Sequence, residues 1–149
     1  MKKHLLDEAI IESIDELESF LMKNRKIFVK SSAIALVGEM GLGKTSLVRT
    51  FLKLKGYDDP VTSPTFPIQL EYELDDFKVI HIDAFRLESS RAEDFDFASW
   101  AEALVFVEWP ERLALNRPQF DYQIEISWAE EKRKFQIFKL QDDLSNRSS

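Results

Sequence analysis

Residues Gly38 to Thr45 spell GEMGLGKT, so three of the chain's four glycines fall within one short run. The run fits G-x-x-x-x-G-K-[ST], the pattern of a phosphate-binding P-loop. Its chemistry is anion capture. Consecutive backbone N–H groups converge on phosphate oxygens at a helix N-terminus, where the helix dipole adds attraction. Glycines allow that wrap, through positive φ or through close approach of the backbone. Gly38, Glu39, Met40, Gly41, Leu42, Gly43, Lys44, Thr45 and Ser46 therefore form the expected nucleotide-binding segment. Lys44 is expected to reach the β- and γ-phosphates, and the Thr45 hydroxyl to hold Mg²⁺.

Such a loop needs a second, acidic anchor for the metal at the end of a neighbouring strand. Asp83, closing VIHID, and Glu108, closing LVFVE, both qualify. The residues alone leave open which acid takes metal and which positions water. Thr62-Ser63-Pro64-Thr65 offers hydroxyls on a proline-stiffened loop; composition favours a plain turn there over a sensor of the γ-phosphate. No glycine follows Gly56 and no N-K-x-D segment occurs, so the D-x-x-G switch and guanine reader of regulatory GTPases are absent.

The elements around these residues agree with the motif. Ala33 to Val37 (AIALV) is a continuous apolar run, as expected of a strand buried on both faces. Leu47, Val48, Phe51, Leu52 and Leu54 then follow a helical pattern from Lys44 to Lys55, with Gly56 as its stop. Upstream, AIIESIDELESFLMKN predicts a short extended piece and then a helix capped by Ser13 with Glu16. Downstream, IQLEYEL and FKVIHID predict a hairpin around Asp75-Asp76. Leu87 to Ala103 is expected to be helical, LVFVE a buried strand, and PERLALN a short helix with Pro110 near its start. YQIEISW and KFQIFKL alternate with period two across AEEKR, predicting a closing hairpin. Together these give an α/β fold: a single P-loop NTPase domain with a mixed, parallel plus antiparallel, central sheet flanked by helices. The expected domain is residues 1–143, with 144–149 a disordered tail.

Composition narrows the function. With 44% hydrophobic residues the 149-residue chain can bury a core. It has no cysteine and two histidines, which excludes thiolate metal sites and a His-based zinc cluster. A net charge of −7 argues against a free-standing nucleic-acid binder, whose affinity rests on a basic face. Neither a membrane span nor a signal peptide is legible, so a soluble, cytoplasmic protein is expected.

Taken in order, GEMGLGKT, VTSPTF, Tyr72, HIDAFRL and VEWPERL resemble the bacterial TsaE (YjeE) ATPases of tRNA threonylcarbamoyladenosine biosynthesis. The likeness spans Gly38 to Leu113, and SPTF and EWPER with a P-loop are its specific parts. It implies a weak, Mg²⁺-dependent ATPase that acts with TsaD and TsaB, meets tRNA only through that complex, and does not itself transfer the threonylcarbamoyl group. It implies that Lys44, Asp83 and Glu108 are catalytic, that Thr45 and Glu108 are on the metal side, and that Ser63 and Thr65 lie in a switch-like loop. Trp109 would lie beside the nucleotide. The chain departs from the family at Glu39, Leu42, Pro67 and at Phe85, where a tyrosine is usual; Arg86 is retained. Two other functions compete with this one, a small-molecule P-loop kinase and a non-catalytic nucleotide-gated interaction module.

Overall fold

The computed structural model describes residues 2–61, 69–85, 97–116 and 120–141. Ser63, Thr65, Pro67, Arg86, most of the helix expected after Leu87, and the 144–149 tail lie outside the described residues. Seven strands among those described form one sheet: β1 (Lys2–Ile11), β2 (Ala33–Val37), β3 (Gln69–Glu73), β4 (Lys78–Asp83), β5 (Ala103–Glu108), β6 (Tyr122–Ala129) and β7 (Lys132–Gln141). Their spatial order is β1-β7-β6-β2-β5-β4-β3. β2 pairs in parallel with β5 and β6, and β4 with β5, while the β1/β7, β6/β7 and β3/β4 pairs are antiparallel. The sheet is mixed, as the sequence predicts.

The parallel strands are the most buried. All six residues of β5 and four of the five in β2 are buried, which is why both read as unbroken apolar runs. Two α-helices, α1 (Ile14–Lys23) and α2 (Lys44–Leu54), cover one face of the sheet. There Phe28, Phe51 and Phe106 meet with ring centroids 5.4–6.1 Å apart, and Phe20 packs edge-on against Phe135. The opposite face, built from Ala33, Ala35, Ile80, Ile82, Val105 and Val107, is covered by Trp100, Leu113 and Phe120.

Helix ends follow their local chemistry. The Ser13 hydroxyl accepts the Glu16 N–H at 3.1 Å, the first half of the expected capping box. The Glu16 carboxylate accepts instead from Glu12, one residue ahead of the cap. α2 closes in a Schellman arrangement: the Gly56 N–H donates to the Lys53 carbonyl and the Tyr57 N–H to that of Leu52, both at 3.0 Å.

Four details differ from the sequence reading. The N-terminal extended piece is a ten-residue edge strand. The stretch expected to be helical up to Ala103 carries a 3₁₀ helix at Phe97–Glu102, and Ala103 opens β5. Pro110–Asn116 is a 3₁₀ helix rather than an α-helix. The AEEKR turn shrinks to Glu130-Glu131, since Ala129 pairs with Lys132 and Trp128 with Arg133. Glu130 has φ +60°, and a two-residue hairpin turn requires a positive φ of this kind.

Candidate functional site

The P-loop leaves the C-terminal end of β2 and feeds α2, at the carboxyl ends of the parallel strands, where α/β folds place their ligands. Two of its glycines have positive φ, Gly41 at +83° and Gly43 at +115°. Gly38 does not, and its role is spatial: a Cβ there would sit 2.7 Å from the Ile126 carbonyl oxygen of β6. Leu42 is 2% exposed and anchors the loop in the core, whereas the Met40 side chain is 68% exposed. Ser46, one turn into α2, lines the hollow beside the loop.

Lys44 is buried, with Nζ donating to the Gly38 carbonyl at 2.7 Å and lying 4.1 Å from the centre of the Trp109 ring. Burial lowers its pKa, opposed by the negative charges of Glu108, Asp83 and Glu111. Trp109 holds a left-handed backbone, φ +59°, immediately after Glu108, and its ring also meets Phe85 at 5.0 Å. Such a conformation costs a bulky residue about 1–3 kcal/mol, so the surrounding packing must hold it.

The strand register brings the two acids together. Asp83 on β4 is the direct partner of Glu108 on β5. The Thr45 hydroxyl, in the first turn of α2, donates to Glu108 Oε2 at 3.3 Å, and His81 Nε2 lies 2.6 Å from the same oxygen. Asp83 Oδ1 accepts the Phe85 N–H at 3.0 Å. Burial raises the Asp83 pKa; the Phe85 N–H opposes this, Glu108 adds to it, and His81 and Lys44 oppose it.

Two hollows flank the loop. One, of about 290 Å³, is lined by Gly38, Glu39, Lys44, Trp109 and Glu111. The other, of about 440 Å³, lies between Gly43 and Ser46, the start of α1 at Ser13 and Ile14, and the β6–β7 hairpin with Trp128 and Arg133. Arg133 Nη1 comes within 3.0 Å of where a Gly43 Cβ would stand. Lys44, Thr45, Asp83, Glu108 and Trp109 thus lie close together around the P-loop. Trp128 and Arg133 join them without a sequence signal, because only the β6–β7 hairpin brings them near the loop, and His81, the first residue of HIDAFRL, joins them through the strand register.

A family model described as "Threonylcarbamoyl adenosine biosynthesis protein TsaE" matches residues 11–136. The chain belongs to the TsaE family. A TsaE of Aquifex aeolicus is 36% identical over 139 residues, covering 91% of this chain and 98% of that one. A TsaE of Haemophilus influenzae is 27% identical over 112 residues, covering 72% and 70%. Both are named tRNA threonylcarbamoyladenosine biosynthesis proteins. Among solved structures, Bacillus subtilis YdiB superposes with a TM-score of 0.73 at 20% identity, over 100% of this chain and 99% of that one, which shows a shared fold. Among the described residues of this TsaE-family chain, no helix is long and apolar enough to cross a membrane.

Proposed function

We propose that this chain is the ATP-binding and ATP-hydrolysing member of the machinery that makes threonylcarbamoyladenosine in tRNA. In this reading it works in the cytoplasm with TsaD- and TsaB-type partners and meets tRNA through them. The observation that carries the reading is the contact of the Thr45 hydroxyl with Glu108 at the first turn of α2, with Asp83 beside it in register. P-loop proteins hold Mg²⁺ with one hydroxyl and one carboxylate, completed by phosphate oxygens and water. Thr45 and Glu108 supply that donor pair, and a bound Mg²⁺ would neutralise charge on the phosphates.

The chain's own groups divide the remaining work. Lys44 exchanges its Gly38 carbonyl partner for phosphate oxygens, a charge-assisted bond in place of a neutral acceptor. Backbone N–H groups of Gly41 to Thr45 face the phosphates at the α2 N-terminus. Asp83, held by the Phe85 N–H and raised in proton affinity by burial, orients and accepts a proton from the attacking water. Trp109 shields Lys44 from bulk water. The hollow by Trp128 and Arg133 takes the nucleoside end. Ser63 and Thr65 are proposed, from the family resemblance alone, as sensors of the terminal phosphate.

ATP hydrolysis by the purified chain, with and without TsaD and TsaB, tests the proposal. Slow turnover that the partners raise is expected; no turnover under either condition would end the enzymatic reading. Lys44→Ala should weaken ATP binding measured by calorimetry, and a wild-type affinity in that variant would remove its assigned role.

A further inference from the structure

His81 is fully buried in β4. Its Nε2 lies 2.6 Å from Glu108 Oε2, and its Nδ1 has no hydrogen-bond partner among the described residues. An ionised carboxylate can only accept, so the proton between the two belongs to Nε2. Nε2 is therefore the ring atom that holds Glu108.

A polar ring at this depth needs a reason. Its strand neighbours Val79, Ile80 and Ile82 are all fully buried and apolar, and a valine at position 81 would bring no polar atom to satisfy. Residues two apart on a strand share a face, so His81 and Asp83 both lie on the α2 side with Glu108. Oε2 takes both the His81 and the Thr45 hydrogen bonds, so these two groups together hold the carboxylate in place. Carboxylates that ligate metals are commonly oriented by such outer partners.

We propose that His81 is a positioning residue: it fixes the Glu108 carboxylate against Thr45 and so sets how tightly a divalent cation is held with the nucleotide. This rests on the metal-side assignment of Thr45 and Glu108 made above. His81 touches neither nucleotide nor reacting atoms in this role.

The test is calorimetric titration of Mg²⁺ into the full chain saturated with ADP, with ADP affinity in EDTA as the reference. His81→Leu should weaken Mg²⁺ binding by about 10–100-fold, the usual effect of losing an outer partner, with ADP affinity in EDTA unchanged. His81→Gln, which can return an N–H to the Nε2 position, should stay near wild type. In a Glu108→Gln background, His81→Leu should add nothing. Wild-type Mg²⁺ affinity in His81→Leu would overturn the proposal, as would an equal loss of ADP affinity in EDTA, which marks a structural role. If His81→Leu fails to fold, His81→Phe, which keeps a ring but has no N–H, takes its place with the same readouts and the same overturning results. A wild-type ADP complex that takes up no Mg²⁺ would instead overturn the metal-side assignment itself, and is recognised before any variant is made.

Discussion

Replacing Gly38 by alanine places a methyl carbon 2.7 Å from the Ile126 carbonyl oxygen and 3.4 Å from the Ile126 Cβ. Gly38 is not among the glycines with positive φ, so alanine meets no backbone penalty and the whole effect comes from this contact. The carbonyl has little room to retreat, because β6 is paired with β2 on one side and β7 on the other. Overpacking of this kind costs about 1–3 kcal/mol. At roughly 2–4 °C per kcal/mol for a domain of this size, the melting temperature should fall by about 2–12 °C. The assay is thermal unfolding of Gly38→Ala and wild type in EDTA without nucleotide, so that no ligand effect enters. An unchanged melting temperature together with lost ADP affinity would refute the reasoning, since Gly38 would then exist for the phosphate rather than for β6.

Other substitutions read out the site and the fold separately. The raised Asp83 pKa gives a stability contribution that is full below the ordinary carboxylate value of 3.8 and is lost as pH rises through the folded value. At neutral pH Asp83→Asn should therefore raise stability by about 0.2–1 kcal/mol, the scale of a like-charged cross-strand pair, while abolishing hydrolysis. Melting curves against pH check the sign: the gain should vanish in acid, and a gain that persists there would contradict it. Thr45→Ala and Glu108→Ala should lose Mg²⁺-dependent turnover more than nucleotide affinity, and turnover near wild type in either would void their metal assignment. Ser13→Ala removes the acceptor for the Glu16 N–H and should cost about 1 kcal/mol by urea unfolding, with Ser13→Asp as the control that keeps a cap.

What the sequence reveals here is what is local. GEMGLGKT, the Schellman stop at Gly56 and the hairpin around Asp75-Asp76 depend on residues within a few positions of one another. β1 is harder to see. It is an edge strand with a register shift between Leu5 and Asp7, so its outward and inward residues exchange parity midway and the period-two signal fails. The 3₁₀ segment at Phe97–Glu102 carries too few turns to separate it from an α-helix by spacing alone. Within the site, Lys44 and Thr45 are legible from the motif, and Asp83 and Glu108 from their places at strand ends. His81 is visible only as the first residue of HIDAFRL, and its contact with Glu108 is not, because the register of two strands distant in sequence sets the pair side by side. Gly38 reads as a phosphate glycine, yet its neighbour is a strand built from a distant stretch of the chain.

That distance has a consequence for how the protein comes into being. The phosphate loop is made early in synthesis, but Ile126 and Arg133, which wall it, belong to the last two described strands, and β1 waits for β7 before it has any partner in the sheet. Contacts this far apart in sequence form late and slowly. A nascent or truncated chain that stops short of the β6–β7 hairpin carries the whole motif without a place to hold it, so competence to bind nucleotide arrives with the last strands rather than with the loop.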